Sequence, residues 1–194
     1  MKLIIEGDIN IYYVQTLCMI FFPGASFGED ESEAPDNPTL ELRLTPADNG
    51  IYAYAEFRYE DRICSAKKYA EYTDRLSRSR VNKLVTGAAV LAAAGELTGY
   101  RPSWGMLTGV RPSKVATELL RSGMSKTRVR KTMTGEYLVI PKKSALATDV
   151  AVNEAKIIGK PGRKDCSVYI SIPFCPTRCA YCSFVSYSSR RLLN

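Results

Sequence analysis

Three cysteines near the end of the sequence have a spacing that could support metal chemistry. Cys175, Cys179 and Cys182 form the pattern C-x3-C-x2-C within the segment SIPFCPTRCAYCSFVSY, residues 171–187. Thiolates this close on one short loop can converge on a single centre, and thiolate sulfur is a ligand of zinc and of iron–sulfur clusters. The chain contains no histidine, so it offers no Cys–His pair, no imidazole ligand and no histidine base. A metal in this segment must therefore be held by sulfur or oxygen.

Four interpretations of the three thiols compete. A disulfide would leave one thiol over, and disulfides are rare in reducing compartments. Structural zinc takes four ligands, and Cys166 precedes a predicted strand that would hold it more than about 20 Å away. Incidental core cysteines are not expected beside Pro, Arg and Ser. An iron–sulfur cluster is favoured, because cysteine thiolates are its usual ligands. Three of them would leave one iron open for a substrate or cofactor. Zinc stays the alternative.

The first part of the chain predicts the α+β domain that would precede this loop. A strand is predicted over residues 1–6, followed by a helix over 9–22 that Asp8 would cap. Two strands, 39–45 and 51–59, would form a hairpin that turns at Asn49–Gly50, and a further strand would follow over 62–66. Leu40, Leu42 and Leu44 alternate with polar residues, which is typical of a half-buried strand. The acidic segment of residues 24–38, between the predicted helix and the first strand of the hairpin, predicts a loop.

Helices are predicted for most of the second half. Ser77 or Ser79 would cap a helix that reaches about Leu97 and closes at Gly99, and further helices would begin at Pro112, Ser125 and Pro141. KPGRKD, residues 160–165, is a Pro/Gly/charged linker. We therefore predict a domain over 1–160 and the start of a second one over 161–194. The second would open with a strand over 167–172, SVYISI, ending at Pro173.

Charge is distributed unevenly along the chain. Residues 1–74 hold 6 Lys or Arg and 14 Asp or Glu, whereas residues 75–194 hold 21 and 6. A basic half is compatible with nucleic acid, an anionic surface or a small polyanion, and also with an ordinary solvated surface. Within residues 75–160, aromatic residues are scarce among the basic ones and no RNP or KH pattern occurs, so nucleic acid is not the expected partner.

The string VYISIPFCPTRCAYCSF, residues 168–184, resembles the oxygen-independent coproporphyrinogen III oxidase family of the radical S-adenosylmethionine superfamily. C-x3-C-x2-C with an aromatic residue before the third cysteine looks like the superfamily signature. WGMLTGVRPSKVATELL, residues 104–120, and GEYLV, residues 135–139, resemble the coproporphyrinogen dehydrogenase branch that has a long N-terminal domain. Ser171 replaces a histidine of the best-known members, and Phe184 replaces a fourth cysteine found in some.

The resemblance implies a complete site. Cys175, Cys179 and Cys182 would bind a 4Fe–4S cluster, whose open iron would hold S-adenosylmethionine. Tyr169 would contact that cofactor and Tyr181 its adenine. The implied reaction is the oxidative decarboxylation of two propionates of coproporphyrinogen III, giving protoporphyrinogen IX for haem synthesis. An electron donor protein such as flavodoxin or ferredoxin would supply the reductant.

The resemblance also implies that the cysteine loop follows the first strand of a (β/α) partial TIM barrel, where barrel enzymes keep their active sites. Since little of a barrel could fit in residues 161–194, we expect an N-terminal fragment that is inactive alone. Two other functions stay open: a haem chaperone-like relative, and a radical S-adenosylmethionine enzyme that acts on RNA through a basic N-terminal domain.

Two smaller expectations complete the sequence-based account. No apolar run is long enough to cross a membrane and the first residues do not form a signal peptide, so a cytoplasmic location is expected.

Arg111 and Lys114 lie at a predicted helix start, where Arg111 could hold a propionate or another anion. The alternative for Arg111 is an ordinary surface arginine.

Overall fold

A computed structural model of the chain describes residues 1–27, 37–108, 111–159, 162, 164–166, 168–172, 174–175 and 187–188. The chain divides into two compact units, Met1–Ile157 and Ile158–Asn194. We refer to them as unit 1 and unit 2.

Unit 1 contains a four-stranded mixed sheet, and helices account for most of its remaining described residues. The strands β1 to β4 are Lys2–Glu6, Thr39–Ala47, Gly50–Tyr59 and Arg62–Glu71, in the order β1-β2-β3-β4. β1 is parallel to β2, and the other neighbours are antiparallel. The helices α1 to α5 are Ile11–Phe21, Arg78–Thr98, Pro112–Arg121, Lys126–Gly135 and Pro141–Ile158. The α+β class predicted for this part of the chain is confirmed.

The alternation in the strands separates a buried face of the sheet from an open face. Leu40, Leu42 and Phe57 are fully buried, and α2 packs against β3 and β4 while α1 packs against α2. The phenyl rings of Phe22, just after α1, and Phe57 stack with centroids 5.9 Å apart. The other face carries the polar partners of the alternation, among them Glu41 and Glu56. The core therefore lies between one face of the sheet and the helices.

Capping residues fix where several helices begin and end. The Ser77 and Ser125 hydroxyls accept from the third residue beyond them, and Gly99 closes α2 in the left-handed conformation, as predicted. The expected Asp8 cap is wrong, because the Asn10 side chain accepts the Tyr13 amide at 2.9 Å and α1 starts two residues later. A short polar side chain can cap only from the residue directly before the first turn.

Two details of the strands differ from the prediction. Asp48 and Asn49 form the hairpin turn, while Gly50 already pairs with Ala47, so the turn lies one residue earlier than Asn49–Gly50. β4 extends to Glu71, beyond the predicted end at residue 66. Its distal half, KKYAE, is polar and mostly exposed but pairs fully with β3, because backbone pairing does not require apolar side chains on an edge strand.

Unit 2 shows only short pairing among its described residues. β5, Phe174–Cys175, pairs in parallel with β6, Tyr187–Ser188. The predicted strand over 167–172 is wrong for residues 168–172, which have no strand structure. A β-strand needs a ladder partner, and these residues have none within the described part of the chain. The start of a barrel is likewise not shown in the described residues.

Candidate functional site

Cys175 is the one cysteine of the C-x3-C-x2-C motif that the structure describes. It lies at the end of β5, its thiol is free and its side chain is partly exposed. Phe174 pairs with Tyr187 and Cys175 with Ser188. The residues that flank the segment 176–186 in the sequence, Cys175 and Tyr187, therefore lie on neighbouring strands. Adjacent strands lie about 4.8 Å apart. The pairing therefore places Cys175, the first cysteine of the motif, beside the strand that follows the segment with the other two cysteines.

Cys179, Cys182 and Tyr181 lie outside the described residues, as does Phe184. The ligand set predicted from the sequence therefore stays a prediction, and only its first member has a described environment.

Tyr169 belongs to a run of exposed apolar side chains. The exposed fraction is 85% for Tyr169 and Ile170 and 79% for Val168 and Ile172. The alternation of two faces that the sequence predicted is not seen, because both sets of side chains are open to solvent. Tyr169 makes no described contact that would assign it to a cofactor, so its role also stays a prediction.

Cys166 is exposed and lies nine residues before Cys175. The predicted extended strand was the reason for excluding it as a fourth ligand, and that strand is absent from residues 168–172. Among the residues that the structure describes, no three His, Cys, Asp or Glu side chains come together to hold a metal ion. Cys166 and Cys175 thus do not build a site with neighbouring carboxylates there.

The cysteines of unit 1 are of a different kind. Cys18 is fully buried in α1, and burial raises the pKa of its thiol to about 12. Cys64 lies partly buried in β4. A neutral buried thiol is a poor nucleophile and a poor ligand. We therefore assign Cys18 to the core.

Arg111 lies directly before Pro112, the first residue of α3, and borders a cavity of about 250 Å³. Arg80 and Lys83 of α2 border the same cavity. Lys114, which the sequence grouped with Arg111, does not. The sequence offered no signal for Arg80 and Lys83, because they precede Arg111 by about thirty residues and only the fold brings them together.

Comparison with known proteins finds a relative that matches part of the chain. The chain is 39% identical over 93 residues to the oxygen-independent coproporphyrinogen-III oxidase-like protein HemZ of Bacillus subtilis. The match covers 47% of this chain and 19% of HemZ. No protein-family profile matches the chain, and no solved structure does. No helix in the described ranges is long and apolar enough to cross a membrane.

The relative agrees with the resemblance that the sequence motifs carry. The chain spans about a fifth of the length of the curated relative, so the comparison concerns a part of such a protein. Over the matched residues, the chain is similar to the oxygen-independent coproporphyrinogen-III oxidase-like protein HemZ, and the predicted resemblance is confirmed.

Proposed function

We propose that the complete protein is a radical S-adenosylmethionine enzyme that decarboxylates coproporphyrinogen III without oxygen. The observation that carries the proposal is the trio Cys175, Cys179 and Cys182 in its surrounding sequence. The similarity to HemZ, whose name describes it as oxygen-independent coproporphyrinogen-III oxidase-like, supports the same chemistry. The environment of Cys175 is compatible with the proposal, because a cluster ligand must be a free thiol that the cluster can reach.

The three cysteines would hold the cluster through their thiolates and leave one iron for S-adenosylmethionine. With both groups bound, the site would supply a carbon radical that removes one hydrogen atom from a substrate propionate. Loss of CO2 and of one electron to an acceptor would then complete each vinyl group. Tyr169, six residues before Cys175, would border the cofactor.

The exposed run at Val168–Ile172 adds support for a larger assembly around the motif. The four apolar side chains of this run are about four-fifths exposed. Such a cluster is unusual on the surface of a soluble monomeric protein. We propose that these residues become covered by further strands in the complete protein. Packing of this kind would remove these four apolar side chains from solvent.

Turnover by the complete protein tests the function. The protein, purified without oxygen and loaded with iron and sulfide, is incubated with S-adenosylmethionine, a strong reductant and coproporphyrinogen III. We expect 5′-deoxyadenosine, CO2 and protoporphyrinogen to form together, and the Cys179→Ser variant to form none of them. The Cys64→Ser variant is the matched control, because Cys64 lies in β4 and outside the motif.

Two results would contradict the proposal in different ways. Release of 5′-deoxyadenosine without loss of coproporphyrinogen would keep the cofactor chemistry but exclude this substrate. Haem binding without consumption of coproporphyrinogen would indicate the haem chaperone-like alternative.

A further inference from the structure

The cavity beside Arg111 in unit 1 has an unusual charge distribution. Three cationic side chains line it, Arg80 and Lys83 from α2 and Arg111 from the start of α3, and its described lining contains no carboxylate. None of the three forms an ion pair with any carboxylate in the described ranges. Asp8 borders an adjacent cavity that Lys83 shares, yet the two are not paired. Three cations around one concave space repel each other unless an anion occupies it.

Existing contacts hold two of these cations in place. Lys83 Nζ lies 4.4 Å from the ring centroid of Tyr13. Arg80 donates a hydrogen bond to the Tyr137 hydroxyl, and its guanidinium carbon lies 5.6 Å from the centroid of that ring. Both tyrosines are buried. The cations are thus oriented by aromatic rings and keep their charge available for a ligand.

Most of the remaining cavity wall is apolar, with Thr108 as a polar exception. Leu84, Met106, Leu107 and Val115 contribute the wall, with Pro112 beside Arg111. Tyr13 and Tyr137 also border this space, and burial raises the pKa of the Tyr13 hydroxyl and keeps it protonated. An apolar wall with a few convergent polar groups is the usual form of a small-molecule site.

From this arrangement we infer that the cavity of unit 1 binds a small organic anion with an apolar body, such as an aromatic carboxylate or sulfonate. The anionic group is held by Arg80, Lys83 and Arg111, while the body lies against Leu84, Met106 and Val115. The volume of about 250 Å³ is slightly below the range of drug-sized pockets. It therefore accommodates a body of about three aromatic rings and is too small to enclose a whole tetrapyrrole. This site lies in a different unit from the cysteine motif, and the inference does not depend on the proposed function.

Fluorescence titration of the 194-residue chain with anilinonaphthalene sulfonate tests the inference. This probe combines two aromatic groups with one anionic group, and N-phenylnaphthylamine supplies nearly the same body without charge. We expect one saturable sulfonate site per chain. Arg80→Gln and Arg111→Gln should each raise the Kd of the sulfonate about tenfold, because a hydrogen bond to a charged group is lost. Binding of the neutral probe to the same variants should be unchanged.

Controls separate the cavity from other apolar surfaces. The Arg128→Gln and Lys131→Gln variants remove equal charge from exposed positions of α4 that do not line the cavity, and should bind the sulfonate as the parent does. Circular dichroism and thermal unfolding verify that each variant is folded. The exposed run at 168–172 would bind both probes alike and would not respond to the α2 and α3 variants.

Three outcomes overturn the inference. The first is sulfonate binding that Arg80→Gln and Arg111→Gln leave unaltered. The second is equal affinity of the charged and neutral probes. The third is displacement of the sulfonate by a short single-stranded RNA whose own binding depends on the same two arginines, since this would assign the cations to a polyanion.

Discussion

The Tyr13 hydroxyl of α1 lies against the backbone of Gly87 in α2, so that a Cβ on residue 87 would collide with it. The same Cβ would lie 3.1 Å from Met106 Sδ. The close approach of α1 and α2 therefore depends on the absence of a side chain at this position. Tyr13 and Met106 both line the cavity of unit 1, so the contact also sets one wall of the anion site that we infer.

Gly87→Ala should destabilise the chain despite the better helix propensity of alanine. Alanine within a helix is favoured over glycine by about 1 kcal/mol, but a buried methyl group forced into a packed contact costs about 1–3 kcal/mol. We expect a lower urea midpoint for this variant. Gly95→Ala in the same helix is the control, because its Cβ would lie 3.4 Å from the nearest atom, the Tyr100 carbonyl oxygen. Equal or higher stability of Gly87→Ala than of Gly95→Ala would contradict the packing described for α1 and α2.

Alkaline pH should weaken unit 1 through Cys18. Burial raises the pKa of this thiol from 9.0 to about 12, so between these values the unfolded chain loses the proton while the folded chain keeps it. The stabilisation is fully present below pH 9 and is lost as the pH rises towards 12, by about 1.4 kcal/mol per pH unit. Tyr13 acts in the same direction above its ordinary pKa of 10.0.

Urea unfolding at several pH values between about 8 and 10.5 measures this loss. The Cys18→Ala variant should be less stable near pH 8, because it leaves a cavity, but its stability should fall less steeply with pH. A parallel fall in both proteins would show that Cys18 does not cause the pH dependence.

Thiol alkylation should distinguish the cysteines by environment. Cys166 is exposed and Cys18 fully buried, so iodoacetamide should modify Cys166 quickly and Cys18 only after unfolding. Loading with iron and sulfide should protect Cys175, Cys179 and Cys182 and leave Cys166 reactive. Peptide mass spectrometry reads each site. Protection of Cys166 would show that a fourth thiol joins the site, which would leave no iron open for S-adenosylmethionine.

The sequence was most informative where local pattern and local structure coincide. Leu40, Leu42 and Leu44 predict a half-buried strand because side chains alternate along any strand. Ser77 and Gly99 predict the ends of α2 because capping acts within a few residues. Prediction was poorer where pairing is non-local. Val168–Ile172 has a strand pattern, yet the described residues supply no partner, and a pattern cannot provide one.

The cavity of unit 1 illustrates the same limit. Tyr13, Arg80, Arg111 and Tyr137 lie in segments far apart in the chain, and no short motif contains two of them. The sequence singled out Arg111 alone, through its place before Pro112. Its neighbours lie beside it only in the folded chain, where residues of α1, α2 and α3 border one cavity.

Iron and sulfide content of the reconstituted chain tests the central claim most directly. The 194-residue chain and its Cys175→Ser, Cys179→Ser and Cys182→Ser variants are loaded without oxygen, and bound iron, sulfide and zinc are measured together with the electron paramagnetic resonance of the reduced samples. We predict about four irons and four sulfides per chain, with a cubane-type signal that each variant weakens or loses and that Cys166→Ser retains. Stoichiometric zinc in place of iron, or an unchanged cluster in the three variants, would contradict the account.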